Sequence, residues 1–163
     1  MRIQRHQMWM EVSNVIAKRS TCYRANVGCV ITHKGRSIST GYNGPPAGES
    51  HCDGEACELH ISGRCMRAIH AEENAINFMK AEYFSAEELF KKSILYCEFS
   101  PCSECGNLIL KNSIPIIVFR HTYDDDVVRV LIQKGIRVYR CTTAGMLIDE
   151  KTKAFVDNIE FNW

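Results

Sequence analysis

The spacing of hydrophobic positions changes along the chain, and each change predicts a new element. Between Gln4 and Arg19, the residues Met8, Val12, Val15 and Ile16 recur at intervals of three and four, which predicts a helix with one apolar stripe. VGCVITH and SISTGY follow, two β-rich runs separated by Lys34, Gly35 and Arg36. They read as a hairpin that leaves through a loop from Asn43 to Gly48. From Glu49 to Arg64 the chain is polar, dense in Cys and His and without a convincing period, so a metal rather than a core is expected to order it. HAEENAINFMKA returns to helical spacing, with Ala71, Ala75, Ile76 and Phe78 or Met79 able to face the interior.

The second half alternates. SILYCEF and IPIIVFR read as buried strands, and between them Ser100 followed by Pro101 signals a helix start, a capping hydroxyl with proline at the first helical position. CSECGNLILKN continues that helix. Asp124 to Lys134 places Val127, Val130 and Leu131 on one face, Gly135 ends the helix, and IRVYR is a further strand. Beyond Thr142 the pattern predicts nothing definite. Strands alternating with helices imply parallel neighbours, and the early hairpin adds an antiparallel edge. The expected class is α/β: a three-layer α/β/α sandwich on a mixed five-stranded sheet. One domain over residues 1–163 is expected, because a chain of this length buries a continuous core without disulfide staples.

Composition narrows the partners. With 45% hydrophobic and 24% charged residues the chain is ordinary for a soluble protein, and no stretch has the apolar length of a bilayer crossing. MRIQRHQMWMEVSNVIAKRS is charged throughout and lacks an apolar core followed by small residues, so no secretory signal and a cytoplasmic location are expected. A formal net charge of +1 argues against gripping a polynucleotide backbone, yet one or two Arg or Lys side chains suffice for a single phosphate. The nine cysteines change the picture most, since in a reducing compartment they point to metal ligation or catalysis rather than disulfides. Cys29, Cys97 and Cys141 sit in or beside apolar runs and read as core thiols.

His70, Ala71 and Glu72 open one predicted helix, and Pro101, Cys102, Ser103, Glu104 and Cys105 open another. HxE alone is usually a solvent-facing helix start, and a lone CxxC is more often redox or structural. Their conjunction is a signature of zinc deaminases. One imidazole and two thiolates make a three-ligand zinc site whose fourth position stays open to water, as catalysis requires. At helix N-termini, unpaired N–H groups favour thiolate over thiol. Cys102 and Cys105, one turn apart, can face the same ion, while Glu72 projects elsewhere and is free to handle protons. The expected reaction is attack by zinc-bound hydroxide on C4 of a cytosine ring, with Glu72 moving protons to N3 and to the departing amine.

STCYRANVGCVI, STGYNGPPAG, CMRAIHAEENAI and SPCSECGNLIL, in that order from about Ser20 to Arg140, resemble the deoxycytidylate (dCMP) deaminase family. The resemblance implies hydrolysis of dCMP to dUMP and ammonia, with zinc on His70, Cys102 and Cys105 and with Glu72 as acid and base. It also implies a substrate pocket of Arg24, Asn43, Ala71, Ser100, Pro101 and Tyr123, in which Asn43 touches the sugar and Arg24 the 5′-phosphate. A second, structural zinc is implied on Cys22, Cys52, Cys57 and Cys65, with His60 as an alternative to Cys57 and His51 close by. Many relatives are homohexamers that dCTP activates and dTTP inhibits beside magnesium, through a loop corresponding here to Gly41, Tyr42 and Gly44. This chain departs from the regulated pattern at Ala81, where some relatives carry Arg, with Lys80 as the nearest cation.

Other readings stay open at this level. The nucleotide could be dCTP, or both nucleotides, and a base in tRNA or single-stranded DNA would use the same chemistry. From a different class comes a non-catalytic zinc module, which has no need of a carboxylate at Glu72.

Overall fold

A computed structural model describes residues 2–52, 54, 65 and 67–161. The strands are β1 (Gly28–His33), β2 (Arg36–Tyr42), β3 (Ser93–Phe99), β4 (Ile116–His121), β5 (Arg137–Cys141), β6 (Leu147–Asp149) and β7 (Phe155–Val156). The helices are α1 (Arg5–Ala17), α2 (Ala71–Glu82), α3 (Ala86–Phe90), α4 (Ser103–Lys111) and α5 (Asp125–Gln133). The strands form one sheet in the order β2-β1-β3-β4-β5-β6-β7. Parallel pairing is confined to β3·β4 and β4·β5, and β1 runs antiparallel to both β2 and β3. The sheet therefore has seven strands rather than the expected five. The two extra ones, β6 and β7, are three and two residues long, too short for an alternating pattern to show.

Strand alternation divides the core into two layers. Cys29, Ile31, Leu95, Cys97, Ile117 and Phe119 face α2, α4 and α5, where they pack with Ala75, Ile76, Met79, Ile109, Val128 and Leu131. Val30, Ile94, Tyr96, Ile116, Val118 and Tyr139 face the opposite side, against Met10 of α1 and Ile159. This is the α/β/α sandwich. The thiols read as core are fully buried: Cys29 and Cys97 lie in the first layer and Cys141 in the second.

The faces of α1 and α5 differ from expectation, and that of α2 settles an alternative left open. In α1 the fully buried line is His6, Met10, Ser13 and Ala17, while Val15 is exposed and Val12 and Ile16 pack only partly. The cause lies in the sheet: a Cβ on Gly28 would stand 2.0 Å from the Ser13 carbonyl oxygen and 2.6 Å from the Ala17 nitrogen. The helix lies so close to β1 at Gly28 that only small residues, Ser13 and Ala17, fit at that point. In α2 it is Met79, not Phe78, that is buried. In α5, Val128 and Leu131 are buried and Val130 is exposed. Val127 is half-buried and meets α4 at Gly106, where a Cβ would sit 3.0 Å from its Cγ1.

The start of α4 also differs. The helix begins at Ser103 with Cys102 as N-cap, two residues later than the Ser100 cap expected. Pro101 thus precedes the helix, and the Ser100 hydroxyl turns to another loop.

Candidate metal and active site

The carboxyl end of β3 leads straight through Ser100 and Pro101 into α4, so Cys102 as N-cap and Cys105 in the first turn are delivered at the sheet's end. His70 is the N-cap of α2, so both helices aim their N-termini at one place. There the His70 Nδ1 lies 3.4 Å from the Cys102 Sγ and 3.3 Å from the Cys105 Sγ. Ligand atoms of the three side chains all fall within 4.8 Å of one another, the one such group among the described residues. Cys102 and Cys105 are buried and His70 half-buried.

The three side chains shift one another's proton affinity. Hydrogen bonding from Cys105 and from His70 pulls Cys102 down to about 3, against the cost of burial. The Cys102 partner in turn raises His70 to about 9. Cys105 is pushed up, first by its bond to Cys102 and then by burial. An imidazole and two thiolates are a zinc donor set with one tetrahedral corner to spare.

Glu72 occupies the first turn of α2 and is 6% exposed, which is rare for a carboxylate away from a function. Burial raises its pKa, while the α2 backbone, the neighbouring His70 and a bond to Cys105 oppose that rise. A buried carboxyl beside the trio is placed to take a proton from one group and pass it to another.

Asn43 is nearly all committed to the protein. Its Oδ1 accepts from the Ser20 hydroxyl at 2.7 Å and from the Val27 N–H at 2.8 Å, and its Nδ2 donates to the Ala25 carbonyl at 2.8 Å. These bonds shape the 20–27 loop, on which Arg24 is exposed. Gly44 and Ile69 exchange backbone bonds of 3.2 and 2.8 Å, tying that loop's anchor to the residue before His70. Ser20 had no signal in the sequence, because an isolated serine in a loop has no period to reveal it.

Ala71 is buried at the start of α2 and Pro101 is buried beside Cys102. The Ser100 hydroxyl, 2% exposed, accepts the N–H groups of Tyr123 and Asp124. Tyr123 itself is 61% exposed on the β4–α5 loop. Gly41 is pressed against α2, where a Cβ would meet the Ala71 carbonyl oxygen at 2.2 Å. A Cβ on Gly44 would meet the Thr21 Oγ1 at the same distance, while Tyr42 is exposed.

Of the second cysteine group, Cys22, Cys52 and Cys65 are half-buried, and Cys57 and His60 lie outside the described residues. The Cys52 N–H donates to the Thr21 carbonyl at 3.3 Å, which joins its backbone to the residue before Cys22, while Cys22, Cys52 and Cys65 do not gather into one donor group among the described residues. The Cys65 Sγ accepts the Ala68 N–H at 3.3 Å. Arg67 ties this segment down, pairing with Glu49 at 3.1 Å and donating to the Ser50 carbonyl at 2.7 Å. His51 is exposed next to Cys52. No helix is long and apolar enough to cross a membrane among the described residues.

Residues 3–121 match the family model of the cytidine and deoxycytidylate deaminase zinc-binding region. A deoxycytidylate deaminase of Schizosaccharomyces pombe is 34% identical over 125 residues, 72% of this chain, and this chain spans 37% of that protein's length. ComE operon protein 2 of Bacillus subtilis is 33% identical over 154 residues, 93% of this chain and 79% of that protein. The dCMP deaminase of cyanophage S-TIM5, solved with dCMP and dUMP, superposes with a TM-score of 0.73 at 29% identity, covering 86% of this chain and 98% of that one. The matched span includes His70, Glu72, Cys102 and Cys105, so sequence, fold and donor geometry agree, and this chain belongs to the cytidine and deoxycytidylate deaminase zinc-binding family.

Proposed function

We propose that the protein hydrolyses dCMP to dUMP and ammonia. The observation that carries this is a three-donor site with a buried carboxyl next to it, in a chain whose relatives act on dCMP. His70, Cys102 and Cys105 would hold zinc. When bound, the ion supplies Lewis acidity that makes water a nucleophile at neutral pH. Glu72 accepts the proton of the attacking water and delivers it to ring N3. A second proton then passes through Glu72 to the amine, which leaves C4 as ammonia while the oxygen remains as the uracil carbonyl. Burial of Glu72 keeps its proton from exchanging with bulk solvent during these transfers. Arg24, on the loop that Asn43 shapes, binds the 5′-phosphate through its guanidinium fork, and Tyr123 faces the substrate from the other side.

The same reading assigns a second, structural zinc to Cys22, Cys52, Cys65 and either Cys57 or His60, supported by the backbone bonds that bring the Cys22 and Cys52 segments together. It extends to a cytoplasmic homohexamer with dCTP and dTTP as effectors beside magnesium at Gly41 and Tyr42, which end strand β2 rather than forming a loop, and at Gly44 just beyond it.

Purified protein is incubated with dCMP, dCTP, cytidine and a cytosine-containing oligonucleotide, and ammonia release is measured. Ammonia from dCMP well above that from the others is expected. The Glu72→Gln variant should keep its zinc and lose about 10²–10⁴-fold in kcat. Parental turnover by that variant, or preference for the oligonucleotide, would overturn the proposal.

A further inference from the structure

Ser100 stands between two parts of the site that the chain supplies from separate elements. It follows β3 directly and precedes Pro101 and Cys102, so its backbone is continuous with the metal-ligating tip of α4. Its side chain points away from that helix. The Oγ accepts the backbone N–H of Tyr123 at 2.8 Å and that of Asp124 at 3.2 Å, and the Ser100 N–H donates to the His121 carbonyl at 2.8 Å. With 2% of the residue exposed, the accepting oxygen belongs to a buried side chain. At the far end of the loop the Asp124 Oδ1 caps α5 by accepting the N–H groups of Asp126 and Val127. Tyr123 lies between the two anchors and is 61% exposed.

We propose that Ser100 is a positioning residue for substrate binding: its hydroxyl pins the β4–α5 loop to the metal-binding helix tip and so sets Tyr123 over the pocket. This rests on the dCMP reading above and names how one side of that pocket is held. Two backbone N–H groups converging on one oxygen define the loop's position, because losing the oxygen takes the shared acceptor from both donors at once. A serine that instead contacted the reacting base would have its oxygen facing the trio. Here both donors that it accepts come from the loop.

The test uses the zinc-loaded full chain. Amide hydrogen exchange is compared between the parent and Ser100→Ala, and faster exchange confined to residues 121–126 is expected. Unchanged exchange there overturns the pin whatever the enzyme's substrate. In steady-state assays with dCMP, Ser100→Ala should raise KM by about tenfold, with kcat and zinc content close to parental. Ser100→Thr, which keeps the hydroxyl, should restore most of the loss. In a Tyr123→Ala background, the same Ser100→Ala change should alter kcat/KM by less than about twofold, because the group being positioned is gone. An equal drop in kcat in both backgrounds, or loss of zinc, would overturn the inference by placing the hydroxyl at the reacting atoms or in the metal site. A parent without dCMP turnover would sink the functional reading, and the exchange experiment would still decide the pin.

Discussion

Gly41→Ala should damage catalysis through a contact that never touches the substrate. The added Cβ would lie 2.2 Å from the Ala71 carbonyl oxygen and 2.6 Å from the Ala75 nitrogen, both backbone atoms of α2. Ordinary contact begins near 3.4 Å, so β2 and α2 must separate by about 1 Å. Overpacking of this kind costs about 1–3 kcal/mol, and the smaller entropy of an alanine in the unfolded chain returns about 0.4–1 kcal/mol. A net loss of about 1–2 kcal/mol follows, which lowers the urea midpoint by roughly 0.5–1 M for typical slopes. The shift falls on the turn that carries His70 and Glu72, and misplacing a catalytic group by 1 Å costs about 10²-fold in rate. Gly28→Ala is the matched control. Its Cβ would lie 2.0 Å from the Ser13 carbonyl oxygen and 2.6 Å from the Ala17 nitrogen, so it pushes α1 away on the face opposite α2, away from His70, Cys102 and Cys105. Urea unfolding should show both variants weakened by similar amounts, while kcat/KM measured far below either midpoint should fall about 10²-fold only for Gly41→Ala. Full activity in Gly41→Ala, or an equal loss in Gly28→Ala, would refute the reasoning.

Two further outcomes are expected. Elemental analysis of the parent should find about two zinc ions per chain, and Cys52→Ala should hold about one and unfold at a lower temperature, because metal affinity at a structural site is folding free energy; a parent with a single zinc would dismiss the second site. His6 is buried with its Nδ1 2.8 Å from the Tyr96 hydroxyl and its Nε2 3.1 Å from the Asn158 Oδ1, and burial holds its pKa below the usual 6.5. The unfolded chain therefore takes up its proton first, and the stability present above about pH 6.5 is lost as the pH falls. Thermal midpoints taken from pH 7.5 down to pH 5 should drop more steeply in the parent than in His6→Gln, and equal slopes would remove His6 from the account.

Much of the site was legible in the chain because it is written in local spacing. HxE and PCxxC each place their groups within one helical turn, so residue type and interval alone identify His70, Glu72, Cys102 and Cys105 as one chemical set. Unbroken apolar runs in β1, β3 and β4 likewise mark strands buried on both faces, and the helices α2, α4 and α5 follow from their apolar periods. What period cannot supply is the shape of the neighbour. The α1 stripe is rotated because Gly28 invites Ser13 and Ala17 onto the sheet, and no property of α1 by itself encodes that glycine. The short elements α3, β6 and β7 escape for a simpler reason, since two to five residues hold too few repeats to show one.

The amino-acid order thus determined the chemistry, the family and the layered class, since each depends on residue types at fixed short intervals. Only the tertiary structure decided that Ser100 turns from a helix cap to a loop pin, that Asn43 spends its amide on the 20–27 loop, and that Gly41 is a contact with α2. Each of those roles is a hydrogen bond or an approach between segments tens of residues apart. Such distances close only when burial of the two core layers brings the segments together.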